Sequence, residues 1–328
     1  MNDSVQLLGV SNAIVDVLAP VSHEFLAELG SLPGSMNLID AEQAAAIYDK
    51  MGPATERSGG SVANTIAAFA NLGGRAAYIG RVADDQLGEV FAHDMRSLAV
   101  DMRRPPRPAQ AATARCYVMV TPDGQRTMHT YLGACLELDT SDITEDTLGV
   151  PQVVLIEGYL LDAPHGPALI DKAIEIAREH GSEVALSLSD AFCVERHLHT
   201  FLRLVNDSVD IVIADDSEAF MLFGTDNLEE AIAAAAELGN LFAITRSADG
   251  SVIVRGKERI DIDANPVDRV VDTTGAGDAY AAGFLYAYAQ DKPLRACAQL
   301  GSWCGAQAVQ KLGARFESGN LAHRTEAD

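Results

Sequence analysis

The sequence predicts an α/β fold, with a mainly parallel central sheet covered by helices on both faces. Apolar runs of strand length recur at 7–10, 76–82, 153–159, 184–189, 209–214, 241–245 and 251–254. Several are nearly continuous in Val, Ile and Leu rather than alternating, which suits strands buried on both faces. Helical patterns fill the gaps, at 62–72, 87–99, 166–180, 228–238 and 294–311. Strand–helix alternation of this kind builds a layered sandwich with right-handed crossovers.

Two regions interrupt that rhythm. Residues 17–56 hold Met36-Asn37-Leu38-Ile39 and a polar-apolar helix. Residues 111–136 hold the apolar run Arg115 to Val120, the turn Thr121-Pro122-Asp123-Gly124 and a second run to Leu132, which reads as a β-hairpin. The run Pro105-Pro106-Arg107-Pro108 leads into it as an extended linker. Together the two regions are expected to form a small second sheet over the first. The large domain would then take 1–16, 57–110 and 137–328, and the small domain 17–56 and 111–136. The tail after Gly319 is expected to fray.

Composition narrows the function. A chain of 328 residues with 48% hydrophobic and 22% charged residues can bury a full core. A net charge of −23 disfavours wrapping nucleic acid or docking on anionic lipid, both of which need a basic surface. The 5 cysteines are few and form no CxxC pair, so they read as reduced packing residues of a cytoplasmic protein. The N-terminus has no signal-peptide pattern, and no apolar run approaches membrane-span length. Cys193, His197 and His199 are too few for a zinc site and read as packing or surface residues.

The chemistry concentrates in Asp272-Thr273-Thr274-Gly275-Ala276-Gly277-Asp278, which opens into a helix-forming run. A helix start free of bulky side chains offers uncovered amides to an anion. Asp278 stands beside it as a base, so Asp278, Gly275, Ala276 and Gly277 together suit phosphoryl transfer to a hydroxyl. The competing glycine motifs do not match, because the third glycine of GxGxxG is missing here and GxxxxGK[ST] occurs nowhere. Nearer the N-terminus, Ser58-Gly59-Gly60-Ser61-Val62-Ala63-Asn64 precedes a helix. Gly59 and Gly60 let a ligand approach the backbone, and Asn64 offers a donor and acceptors to a polyol. The same segment half-matches the hydrolase elbow GxSxG but lacks its last glycine. Asn12 and Asp16 are expected near a strand end, where Asp16 can accept two bonds from vicinal hydroxyls.

DTTGAGD resembles the C-terminal signature of the ribokinase-like (PfkB) kinases of sugars and nucleosides. Asn12 to Asp16, with Ser11 in place of a glycine, and Gly59, Gly60, Ser61 and Asn64 resemble the adenosine kinases within that superfamily. The resemblance implies a three-layer α/β/α sandwich with a small β-sheet lid. It implies a kinase that phosphorylates a primary hydroxyl, adenosine to AMP being the first expectation. A ribose-, fructose- or 2-keto-3-deoxygluconate-type sugar kinase is the alternative, and an impaired nucleoside-binding protein the second. It assigns Asp16, Asn64, Asn12 and the glycine pair to the acceptor pocket, and Arg126 to a lid arginine reaching toward phosphate.

On the nucleotide side the resemblance assigns Asp215 and Glu218 to magnesium and phosphate, with Glu218 toward the metal. Here Asp215 replaces the family's Asn. Thr245 and Gly250 frame a T-x-G-x-x-G loop in which Ser247 replaces the first glycine. ATP and Mg2+ are the implied cofactors, with K+ as a candidate monovalent ion. The expected partner is a small nucleoside or sugar, and a homodimer is left open.

Overall fold

The computed structural model of the protein describes residues 4–105, 107–123, 125–317 and 321. Pro106 of the expected linker, Gly124 of the expected turn, and the tail after Gly319 apart from Leu321 lie outside the described residues. In chain order the strands begin with β1 (Leu7–Val10), β2 (Ile14–Pro20), β3 (Met36–Leu38), β4 (Thr55–Gly59) and β5 (Ala76–Ile79). Then come β6 (Asp101–Met102), β7 (Ala114–Val120), β8 (Arg126–Tyr131), β9 (Val153–Glu157) and β10 (Glu183–Ser187). The last are β11 (Ile211–Asp215), β12 (Leu241–Thr245), β13 (Ser251–Arg255) and β14 (Glu258–Ile262).

The larger sheet runs β14-β13-β12-β11-β10-β9-β1-β5-β6. From β12 to β6 every pairing is parallel, and β13 and β14 close one edge as an antiparallel hairpin. Its apolar runs feed two cores. In β9, Val153 and Leu155 belong to one core and Val154 and Ile156 to the other, so successive side chains fill opposite faces. Helices Ser61–Asn71, Ala276–Tyr288 and Leu294–Ala308 cover the first face. Helices Gly166–Glu179, Leu198–Asp207 and Leu228–Leu238 cover the second. This is the expected ribokinase-like three-layer sandwich.

The smaller sheet runs β3-β8-β7-β2-β4, with the expected hairpin as β7 and β8. Its strands reach past the expected boundaries at 17 and 56, because β2 begins at Ile14 and β4 continues to Gly59. The expectation that Asp16 sits near a strand end is corrected accordingly: it lies inside β2, opposite Arg57 on one side and Cys116 on the other. The alternation of Ile14 to Pro20, with Val15, Val17 and Ala19 buried, makes this a strand of a half-covered sheet.

This topology positions the site. From β1 the chain moves outward to β5 and β6, then returns to the other side of β1 with β9. The carboxyl ends of β1 and β9 therefore flank a switch point, where a crevice opens in α/β sheets. Asn12 follows β1 and Glu157 ends β9, and the Asn12 amide donates to Glu157 Oε2 at 2.8 Å.

Candidate active site

Helix Ala276–Tyr288 starts from Gly275, whose φ of 72° is left-handed. A Cβ there would also lie 2.5 Å from Ala314 Cβ, so glycine is required on two grounds. No side chain caps this helix start. The Ala276 amide donates to the Thr273 carbonyl at 3.2 Å. That corrects the expectation that all of Gly275, Ala276 and Gly277 offer amides to an anion: Ala276 is already engaged. Gly277 faces open space, which leaves its backbone approachable.

Asp278, in the first turn, is gripped from the other glycine-containing motif of the sequence, Ser58 to Asn64. Ser61 Oγ donates to Oδ1 at 2.8 Å and Asn64 Nδ2 donates to Oδ2 at 2.9 Å. Burial pushes the Asp278 pKa up to about 6, against the lowering effect of Asn64, Ser61 and Arg315. Asn64 Oδ1 is buried with no partner among the described residues. An orphaned acceptor beside a fixed carboxylate suits a ligand hydroxyl.

Asp16 is drawn into the same network. A Cβ on Gly59 would lie 2.4 Å from the Asp16 carboxylate, so this carboxylate needs glycine at the diagonal position of the β2–β4 pair, where Gly59 faces Ile14. Gly60 has φ of +86°, and a Cβ there would meet the Asn12 carbonyl at 2.6 Å. The glycine pair is thus demanded by close packing of the pocket walls. Burial raises the Asp16 pKa to about 7, with Arg315 opposing and Asp278 adding to the rise.

Several residues of the site were absent from the sequence expectation. Arg315 inserts its guanidinium under the pocket and donates to the carbonyls of Ser58 at 2.8 Å, Ala63 at 2.9 Å and Gly59 at 3.4 Å. It is the cation facing Asp16 and Asp278, and burial draws its own pKa down to about 10. Glu157 accepts from the amides of Asn12 and Val62, tying the end of β1 to the start of helix Ser61–Asn71. Burial raises its pKa to about 7. Ser61 lay within the glycine motif, but its bond to Asp278 crosses 217 residues and leaves no local signal.

Arg126, in the small sheet, reaches the Asp272-Thr273-Thr274 segment. It donates to Thr274 Oγ1 and to Thr273 Oγ1 at 3.3 Å, and pairs with Asp272 at 3.2 Å. Asp272 in turn accepts from Thr274 and from the Gly313 amide. Burial would raise its pKa, but these bonds and Arg126 outweigh that and hold it below the usual carboxylate value. The small sheet is therefore latched to the turn that precedes helix Ala276–Tyr288.

A cleft of about 780 Å³ extends from Asp278 and Gly277 past Thr245, Gly250, Asp215 and Glu218. The two departures from the family pattern are both accommodated locally. Asp215 caps helix Asp216–Phe223 by accepting from the Glu218 amide at 2.8 Å, while Glu218 Oε2 accepts from the Asp215 amide at 2.9 Å. Asp and Asn serve equally well at that position. Ser247 takes φ of 50°, the left-handed conformation that a glycine would adopt freely. Gly250 is required by its own turn, since φ is +85° and a Cβ would lie 2.0 Å from the Ile262 carbonyl.

Among the described residues, no three His, Cys, Asp or Glu side chains cluster to hold a metal by themselves. His197 instead bonds Asp162, and Cys193 is buried. Burial, together with the adjacent Asp215, raises the Glu218 pKa to about 8.

Comparison with known proteins follows the same lines. Residues 24–319 match the pfkB family of carbohydrate kinases. The chain is 44% identical to the adenosine kinase of Sinorhizobium meliloti, with a TM-score of 0.93 and coverage of 99% of this chain and 100% of that one. It is also 44% identical to a probable sugar kinase of Rhizobium etli CFN 42, with a TM-score of 0.92 and coverage of 98% of both. The adenosine kinase of Saccharomyces cerevisiae is 26% identical over 97% of this chain and 98% of its own.

Proposed function

From the premise that this chain belongs to the pfkB family of carbohydrate kinases, and so transfers phosphoryl groups to an alcohol, we propose that its acceptor is a ribonucleoside, adenosine, and its product AMP. The observation that carries the reading is the Asp278 carboxylate, fixed by Ser61 and Asn64 at the mouth of an uncapped helix start. Asp278 takes the proton of the primary hydroxyl as that oxygen attacks. Ser61 and Asn64 hold the carboxylate so that little reorganisation is needed at the moment of transfer. Asp16 accepts from the vicinal ribose hydroxyls, and Asn64 Oδ1 takes a further bond from the acceptor. The Gly277 end of the helix stabilises charge that develops on the transferred group. Arg126 keeps the small sheet closed on this turn, which excludes water.

The kinase family uses ATP and, as a rule, magnesium. The donor set fits a largely hydrated ion. Magnesium is ordinarily held by one or two carboxylates plus waters and substrate phosphates. Glu218 Oε1 is not engaged in the capping box and would serve as one such ligand, through water. When bound, the ion neutralises phosphate charge. Asp215, whose oxygen already serves the cap, would add negative potential there.

The Rhizobium etli relative, at the same identity, is named a probable sugar kinase. That favours keeping a sugar acceptor as the second reading. Incubation with ATP and adenosine, ribose, fructose or 2-keto-3-deoxygluconate separates the two. Turnover of adenosine supports the proposal; an inert adenosine beside a reactive free sugar replaces it. A cytoplasmic setting belongs to the same proposal, since all five cysteines are buried. Among the described residues, no helix is long and apolar enough to cross a membrane.

A further inference from the structure

The segment after helix Leu294–Ala308 folds around its own lysine. Lys311 Nζ donates to the carbonyl of Gly313 at 2.8 Å and to that of Arg315 at 2.8 Å. The ammonium also lies 4.2 Å from the centroid of the Phe316 ring. Backbone carbonyls converging on a monovalent cation are how proteins replace the hydration shell of potassium. Here the cation is covalently attached.

This loop backs both halves of the active site. The Gly313 amide donates to Asp272 Oδ2 at 2.8 Å. Ala314 packs against Gly275, which opens the catalytic helix. Arg315 supports the carbonyls of Ser58, Gly59 and Ala63 under the acceptor pocket. A shift in the loop would therefore move the anion site and the acceptor pocket together.

The surroundings do not fit a free potassium ion at this loop. The Lys311 ammonium occupies the point on which the Gly313 and Arg315 carbonyls converge. Arg57 and Arg315 both act on Lys311 as like charges, and only Asp272 opposes them. Burial, with that repulsion, lowers the Lys311 pKa to about 8, which still leaves it charged at neutral pH. An additional cation would meet three positive groups.

We propose that the Lys311 ammonium is a built-in monovalent cation that braces the loop behind the anion site, so that this kinase works without potassium. Lys311 is a positioning residue in this account, acting through Asp272, Gly275 and Arg315. The inference rests on membership of the kinase family but not on which acceptor is used.

The test compares wild-type protein with Lys311→Ala in choline chloride, potassium chloride and ammonium chloride at matched ionic strength. Thermal midpoint and turnover with the acceptor found active are both read. Wild-type values are expected to be the same in all three salts. Lys311→Ala is expected to lose about tenfold in kcat in choline, and to regain most of it, with a higher thermal midpoint, in ammonium or potassium. Wild-type activity or thermal midpoint that rises specifically with potassium overturns the proposal. So does a Lys311→Ala variant that is unaffected, or whose loss no small monovalent cation repairs. Should Lys311→Ala not fold, Lys311→Met, which keeps the stem over Phe316, replaces it. The wild-type thermal midpoints need no acceptor, so a wrong acceptor and a wrong role for Lys311 give different results.

Discussion

On the acceptor side of the cleft, Asp16 and Asp278 face the Arg315 guanidinium and Glu157 stands near Asp278, each acid with its pKa raised by burial. On the nucleotide side, the cleft is bordered by turns and helix caps, and its acids are occupied with backbone amides, as in the Asp215–Glu218 capping box. The first side groups several ionisable residues, held against their solvation preference, near one cation. The second is mainly a set of backbone conformations, with Glu218 as its one strongly raised acid among the described residues. Chemistry and acceptor choice need the former, since buried charge gains strength and direction from exclusion of water. A nucleotide's phosphates are bound well enough by amides and a metal, so sequence departures there are absorbed if the backbone keeps its shape.

That contrast predicts different responses to substitution. The largest effect on binding is expected from Asp16→Asn, which should weaken the acceptor by about 100-fold, the value of one or two bonds to a charged group. It should at the same time raise the thermal midpoint, because a buried carboxylate is replaced by a neutral isostere. Titration calorimetry with the acceptor and a thermal melt check both. A loss of binding together with a loss of stability would mean that Asp16 is part of the scaffold instead.

Next is Arg126→Ala, which cuts the latch between the small sheet and Asp272, Thr273 and Thr274. A fall of about tenfold in kcat/KM is expected, with stability nearly unchanged. Equal kinetics in the variant would detach the lid from the reaction.

The pH dependence is set by the acceptor side. Asp278 must be ionised to take a proton, and its pKa is raised to about 6. The kcat/KM profile is therefore expected to fall with unit slope as pH drops through about 6. For stability the sign is opposite. Asp16, Asp278 and Glu157 have folded pKa values above their usual ones, so the folded state binds more protons. Their contribution to stability weakens as pH rises from about 4 to about 7. A profile that stays flat below pH 6 would remove Asp278 as the titrating base.

The smallest effect belongs to the nucleotide side. Ser247→Gly relieves a left-handed serine and should stabilise the protein by up to about 1 kcal/mol, with kinetics unchanged. A denaturant titration measures it. A large kinetic change would show that the serine hydroxyl itself is used.

The same contrast explains what the sequence could reveal. The layered sheet was legible because its strands are continuous apolar runs, as in residues 153–156 and 211–214. Asp278 and Asn64 were legible because each sits in a local motif where glycines mark close approach. Arg315 was not, although it organises the acceptor side. It lies in an irregular segment, and its partners, Ser58 to Ala63, are more than 250 residues away in the chain. Glu157 reads as the polar end of an apolar strand until the fold sets it against Asn12 and Val62. The position of Asp16 was missed because the alternating strand 14–20 follows so closely on β1 that Asp16 was placed near the end of the first strand.

The central claim is that the Asp278 carboxylate is the base for the acceptor hydroxyl. Its most direct test is Asp278→Asn, which keeps the shape and can still bond Ser61 but accepts no proton. Single-turnover phosphoryl transfer and acceptor affinity are measured on the same preparation. The account predicts a fall of at least about 1,000-fold in transfer, with acceptor affinity within a few-fold of wild type. Transfer at near wild-type rate, with acceptor still bound, would contradict it.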